Sequence, residues 1–284
     1  MKKLFFTSIF IAAAMASCTF SQNNKKTDWE NEGLKGKVKS FEAHRYKISI
    51  DSGKIIKGEK IEIRTYKYDK KGNMIEENIN YLYSEIMKIK QICKYDKKGN
   101  MIEGTFYDYE GNFYGKYIYE YDKKGNRIKR MKYNTDGSLD TENIYKYDYK
   151  GNMIEQRLLD SEGDFVYKVI YNYDEKGNKI EENHLHYYLG KEVCEKFIYK
   201  YDDKGNQIEK GKYSSDGYCQ WKYTNKYDDK GNIIEEDGHE FKGKYKYIYE
   251  YKYDSKDNWT EEIFYEGEEK TPKEITERTI EYYE

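Results

Sequence analysis

Few residues in this sequence have the types and spacing that chemistry requires. His44, His184, His186 and His239 are scattered, and only the His184-x-His186 pair would place two imidazoles on one face of a strand. Two imidazoles without a third ligand do not make a metal site, so we expect a solvated pair. The 53 Asp and Glu residues are too many and too evenly spread for spacing alone to single out an acid and base pair.

Short acidic segments superficially match a calcium-binding loop, as in Asp174-Glu-Lys-Gly-Asn178. A lysine stands where a second oxygen ligand is needed, so the aspartate is better explained as a turn cap. The chain also has no glycine-rich phosphate loop and no nucleophile with a plausible base. We therefore predict that the protein is not an enzyme and binds no metal and no cofactor.

Three cysteines lie beyond residue 18, namely Cys93, Cys194 and Cys219. Cys194 and Cys219 occupy equivalent strands of neighbouring repeats, which places them about 9.5 Å apart if one strand lies between them. This separation exceeds the reach of a disulfide, so we expect three free thiols.

The element that must position all of these residues is a repeat, seen most clearly at Tyr121-Asp-Lys-Lys-Gly-Asn126. Eight copies recur at intervals of 26 to 28 residues, and Tyr, Asp, Lys and Asn hold their places in every copy. The glycine position is occupied by Gly72, Gly99, Gly125, Gly151, Gly177, Gly205, Gly231 and, in the last copy, Asp257. A fixed period over eight copies indicates one repeat array.

Asp-x-Lys-Gly-Asn predicts a hairpin turn, in which aspartate caps backbone N–H groups and glycine takes the left-handed conformation. A weaker turn lies midway in most repeats, as in Asp160-Ser-Glu-Gly163. Two turns per repeat leave two strands, so residues 34–284 are predicted to form an all-β array of antiparallel hairpins with terminal caps. Our count is about eighteen strands in one long twisted or spiral, largely single-layer sheet, about 85 Å wide if unrolled.

Alternation along the strands collects aromatic residues on one face of the predicted sheet. This face is our candidate binding face, and Phe113 and Phe165 share its parity. Its members are Tyr117, Tyr119, Tyr145, Tyr147, Tyr167, Tyr171, Tyr173, Tyr199, Tyr201 and Trp221. Stacked rings beside Lys and Glu suit a sugar or a peptide strand, and the alternative is that tyrosine only supplies packing area where aliphatic residues are scarce.

The N-terminus predicts export. Residues 1–17 form a signal peptide in which Lys2 and Lys3 precede an apolar run, and Met15-Ala-Ser-Cys18 is similar to a bacterial lipoprotein signal with Cys18 as the lipidated residue. Residues 18–33 are polar and predict a flexible tether. We expect a lipid-anchored, extracytoplasmic protein of the outer or plasma membrane. With a net charge of −2 and interleaved charges, nucleic acid is not an expected partner.

The pattern Tyr-x-Tyr-Asp-x-x-Gly-Asn-x-Ile, with a glycine between copies, resembles the YD repeat of the RHS family over about Tyr66 to Thr260. The resemblance implies strand-turn-strand units that build a β-repeat scaffold, in that family a hollow shell, with a binding or surface role. Here Gly-Asn-x-Ile-Glu stands where the family usually has Gly-Arg-Leu-Thr. No toxin domain or release-protease motif is recognised after the repeats, so we expect a short lipoprotein member without toxin cargo.

Three functions remain open from the sequence. The first is a non-enzymatic scaffold of the cell envelope that binds a protein or glycan partner. The second is a purely structural surface spacer, and the third is a glycan-active enzyme.

Overall fold

The computed structural model of the protein describes residues 27–82, 88–188, 191–240 and 243–284. These form one short helix and eighteen antiparallel strands in a single sheet. The elements are α1 Asp28–Asn31, β1 Val38–Asp51, β2 Lys54–Tyr68, β3 Met74–Tyr81, β4 Lys88–Tyr95, β5 Met101–Tyr107, β6 Phe113–Tyr121, β7 Arg127–Tyr133, β8 Leu139–Tyr147, β9 Met153–Asp160, β10 Phe165–Tyr173, β11 Lys179–Tyr188, β12 Lys191–Tyr201, β13 Gln207–Tyr213, β14 Cys219–Tyr227, β15 Ile233–Glu240, β16 Gly243–Tyr253, β17 Trp259–Glu266 and β18 Thr271–Tyr282.

Each strand pairs with its neighbours in sequence, and β1 also pairs with β18. The all-β hairpin array is therefore confirmed, and the sheet closes into a barrel rather than spiralling. Phe41 pairs with Ile280 across the closing seam, and Lys39 forms a 2.7 Å ion pair with Glu281. Closure gives the backbone groups of the first and last strands partners, which two free sheet edges would lack.

The strong turns have the predicted geometry, as the copy at Asp122 shows. Its Oδ1 accepts the N–H groups of Lys124 and Asn126, both at 2.9 Å, and Gly125 has a φ of +89°. The Gly125 N–H donates to the Asp122 carbonyl at 3.1 Å. In the eighth copy Asp257 adopts the same left-handed conformation with a φ of +63°, so the turn survives without glycine.

The two faces of the sheet differ in burial and charge. One face carries exposed ion pairs such as Lys146 with Glu155, in which the lysine side chain is 55% exposed. On the other face Tyr145 and Tyr199 are buried. This tyrosine face is the inner, concave one, because Phe197 on β12 meets Trp221 on β14 at 5.9 Å across the intervening strand.

Eighteen strands spaced about 4.8 Å apart give a perimeter of about 86 Å and, for a circular section, a diameter of about 27 Å between backbones. A circular section of this size is wide enough to leave open space between the inner side chains. The inner side chains line the interior of the barrel, which we call the lumen.

The segment before β1 packs on the rim formed by the strong turns. Thr27 and Glu30 form a capping box at the N-terminus of α1. The backbone N–H of Trp29 donates to the Gly72 carbonyl at 3.3 Å. Trp29 is buried in a cluster with Leu34, Val38, Phe41, Tyr66 and Tyr68. The described end of the predicted tether, residues 27–33, is thus a packed cap, because Trp29 buries its indole there.

Cys18 and the predicted signal peptide lie outside the described residues. None of the helices in the described ranges has the length and apolar character that crossing a membrane requires. Cys93, Cys194 and Cys219 are all free thiols.

Candidate functional site: the inner wall

In six of the eight copies, the tyrosine that precedes the strong turn anchors one repeat to the one before it. Its phenol donates to the carbonyl of the first strand residue after the preceding strong turn. These bonds run from Tyr95 to Met74, Tyr121 to Met101, Tyr147 to Arg127, Tyr173 to Met153, Tyr201 to Lys179 and Tyr227 to Gln207, at 2.7 to 2.8 Å. Tyr147, Tyr173 and Tyr201 of the candidate binding face therefore have a structural task.

The accepting carbonyls lie where the strand pairing shifts register. On β6 the shift falls between Glu120 and Tyr121, and Tyr121 then pairs with Arg127. Such a bulge displaces the ladder and leaves backbone groups without a strand partner. The phenol of the next repeat supplies that partner in six copies. In the other two copies, the Tyr68 hydroxyl has no partner among the described residues and the Tyr253 hydroxyl donates to the Asp228 carboxylate.

The tyrosines two positions earlier line the lumen, where cations stand over their rings. Arg127 lies 5.6 Å from the ring centroid of Tyr119 and 4.9 Å from that of Tyr145. Arg130 stands 5.1 Å over Tyr117. Burial raises the pKa of Tyr119 to about 12, so its phenol stays protonated at neutral pH.

A cleft of about 430 Å³ lies on this wall between β9 and β12. Tyr167 and Tyr171 of the candidate binding face both line it, and Gln156 holds them together. The Gln156 amide donates to the Tyr167 hydroxyl at 3.2 Å, and the Tyr171 hydroxyl donates to the Gln156 Oε1 at 3.1 Å. The remaining lining residues are Val166, Val169, Glu182, His184, His186, Tyr187 and Glu195.

The carboxylates of this cleft are held in ion pairs. Burial alone would raise the pKa of Glu182, but the hydrogen bond from His184 and the charge of Lys179 outweigh it and hold the pKa at about 2. His184 Nε2 lies 3.1 Å from the Glu182 carboxylate, and Lys179 forms an ion pair with it. Glu195 forms an ion pair with Lys212 at 2.5 Å. Glu182 is therefore a hydrogen-bond acceptor near neutral pH.

An aromatic surface continues from the cleft to β14. His184 lies 4.8 Å from Phe197, which contacts Trp221, and Trp221 stacks on Tyr223 with 5° between the ring planes. Lys210 stands over this surface, 5.4 Å from the Phe197 ring, and burial lowers the pKa of its amine.

The structure thus places Trp221 and the lumen-facing tyrosines on one wall. Tyr199 is buried there, with Lys179 4.7 Å from its ring centroid. Phe113 and Phe165 are 38% and 45% exposed and follow the weaker turns. The cations among the rings were not part of the predicted face, although Arg127 and Lys179 occupy equivalent positions after the strong turn, which is a signal in the sequence.

A second cleft, of about 620 Å³, lies on β14 to β16 and the turn after β17. Tyr223, Gly238 and Tyr245 are among its lining residues. Within the ranges that the structure describes, no three His, Cys, Asp or Glu side chains group closely enough to hold a metal ion.

No protein-family model and no curated protein matches this chain. Among solved structures, a porin-like protein from Bacteroides uniformis is similar at 9% identity and a TM-score of 0.43, covering 86% of this chain and 98% of that one. The TcdB2-TccC3-Cdc42 structure is similar at 11% identity and a TM-score of 0.38, covering 76% of this chain and 14% of that chain. Likenesses this weak assign no function, and the resemblance to the RHS family stays a prediction.

Proposed function

We propose that this protein is a non-enzymatic, lipid-anchored component of the bacterial cell envelope that binds a glycan on the inner wall of its closed sheet. The supporting observation is the aromatic and polar surface from Tyr167 to Trp221 on the inner wall, together with the cleft that it lines. Anchoring through Cys18 and the envelope location rest on the N-terminal sequence.

The closed sheet favours a glycan over a peptide strand. Peptides commonly bind a sheet by adding a strand to its free edge. Here every strand has a partner on both sides, including β1 and β18. A sugar needs no edge, because its C–H face stacks on an aromatic ring while its hydroxyls bond to polar side chains. The stacked rings of Trp221 and Tyr223 and the polar group of Gln156 offer both kinds of contact.

The charges of the cleft favour binding without turnover. Hydrolysis of a glycosidic bond needs one protonated carboxyl group that gives its proton to the leaving oxygen. The pKa of Glu182 is about 2, so this carboxyl carries no proton to donate near neutral pH. Glycan hydrolysis therefore remains the alternative function.

A glycan array probed with the mature protein tests the proposal. We expect retention of a defined group of glycans and at least about tenfold weaker binding by Trp221→Ala, since buried aromatic anchors dominate such interfaces. Tyr149→Ser is the matched control, because Tyr149 is 82% exposed in a strong turn and should leave binding unchanged. Circular dichroism would confirm that both variants are folded.

An array that retains no glycan would refute the binding function and leave the structural spacer. Release of reducing sugar from any array member would favour the enzyme. For the anchor, Cys18→Ser should move the protein from the membrane fraction to the soluble fraction of cells.

A further inference from the structure

Arg127 on β7 is an inner-wall cation that stands among aromatic rings. Its guanidinium lies between the rings of Tyr119 and Tyr145. Its Nε is buried and has no hydrogen-bond partner among the described residues. The groups that act most on its charge, besides burial, are the phenols of Tyr145, Tyr121 and Tyr119.

Two other cations of the inner wall have carboxylate partners. Lys179 is paired with Glu182, and Lys212 is paired with Glu195. In the part of the chain that the structure describes, no ion pair joins Arg127 to a carboxylate. A shielded cation is costly without a counter-charge, and aromatic faces compensate for only part of that cost.

A second guanidinium extends the same surface. Arg130 stands over Tyr117 and pairs across the strands with Tyr119, so both arginines lie on the lumen side of β7. Three residues of extended strand place their backbones about 10 Å apart. The wall therefore presents two guanidinium groups over three aromatic rings, Tyr117, Tyr119 and Tyr145.

We infer that this part of the wall, on β6 to β8, is a subsite for an acidic sugar, in which Arg127 binds the carboxylate of a uronic acid residue and the tyrosine rings contact the sugar ring. The inference deepens the proposed function and rests on it. The planar guanidinium matches a carboxylate with two parallel hydrogen bonds, which is the geometry that favours arginine at such sites. Binding would give Arg127 the anionic partner that the described residues do not provide.

Isothermal titration with short oligogalacturonates and with their methyl esters tests the inference. The two probes share the same sugar backbone and differ in the charge of the carboxyl group. We expect the acid to bind at least about tenfold more tightly than the ester, and the difference to shrink as salt is raised.

Variants separate the arginine from the rest of the wall. Arg127→Gln should weaken binding of the acid by about tenfold and leave binding of the ester unchanged. Arg127→Lys should recover part of the lost affinity for the acid, because lysine restores the positive charge but not the planar guanidinium. Lys146→Gln, on the outer face and 55% exposed, is the matched control and should change neither probe. Tyr147 bonds to the backbone carbonyl of Arg127, so neither Arg127 variant removes that anchor.

Equal affinity for acid and ester, or an acid affinity that Arg127→Gln leaves intact, would overturn the inference while glycan binding itself stands. Poly-glutamate that binds as tightly as oligogalacturonate, with the same dependence on Arg127, would overturn the sugar assignment and indicate an acidic peptide. Failure of every array glycan to bind would instead remove the proposed function on which the inference rests.

Discussion

The hydrogen bonds from the repeat tyrosines to the backbone of the preceding repeat should contribute a large part of the protein's stability. The perturbation that tests it is the triple substitution of Tyr121, Tyr173 and Tyr227 by phenylalanine. It keeps all three rings and removes only the hydroxyls, whose bonds to Met101, Met153 and Gln207 are each 2.7 Å long.

The size of the effect follows from the geometry. Each lost bond costs about 1 kcal/mol, and up to about 3 kcal/mol where the carbonyl is left without another partner. The tyrosines lie on β6, β10 and β14, so neighbouring sites are four strands and about 19 Å apart. Sites this distant contribute independently, so we expect a total loss of about 3 to 9 kcal/mol.

Equilibrium urea unfolding, followed by tryptophan fluorescence and circular dichroism, measures this loss. The control is a triple substitution to phenylalanine at Tyr114, Tyr149 and Tyr218, which are 62%, 82% and 72% exposed. It should change the free energy of unfolding by less than about 0.5 kcal/mol per site. If both triples unfolded at the same urea concentration, the phenol bonds would not contribute to stability and the explanation of the repeated tyrosine would be refuted.

Three further predictions concern single sites. Glu182→Gln should destabilise the protein by about 3 kcal/mol at pH 7, because the pKa of Glu182 in the folded protein is about 2 and lies below its usual value. This stability is present above about pH 4.5 and is lost as the pH falls toward 2, so the urea midpoints of the two proteins should converge between pH 7 and pH 2.5. A difference in midpoint that does not depend on pH would contradict this prediction. Gly238→Ala should cost about 1 to 3 kcal/mol, because its Cβ would lie 1.9 Å from the ring of Tyr245, and the cost should fall in a Tyr245→Ala background. Cys93 should react with Ellman's reagent at pH 8 only when the protein unfolds, because burial raises the pKa of its thiol to about 12. The reaction should therefore show a slow phase limited by unfolding, and Cys93→Ser should remove that phase.

The strands and turns were predictable because their causes are local. Each strong turn depends on an aspartate cap and a left-handed residue within five positions, and the structure repeats this arrangement at Asp122 and at Asp254. Alternation predicted that the aromatic residues share one face of the sheet. Tyr119 and Tyr145 do lie on the same face, because both rings contact Arg127.

The roles of the aromatic residues were not predictable from alternation. Tyr171 and Tyr173 have the same parity, yet the phenol of Tyr173 bonds to the Met153 backbone while that of Tyr171 reaches the side chain of Gln156 in the cleft. The difference arises from the bulge beside each strong turn, which shifts the strand pairing by one residue. Spacing within one strand does not reveal how its partner strand is displaced.

The repeat, its hairpins, the number of strands and the aromatic face could be predicted from the sequence, since all of these follow from residues within one or two repeats. Closure of the sheet, and the inward orientation of the aromatic face, became visible only in the three-dimensional structure. Closure joins Phe41 to Ile280, residues from opposite ends of the array, and depends on twist and curvature summed over eighteen strands. A small rotation at each hairpin sets that sum, and no single hairpin encodes it.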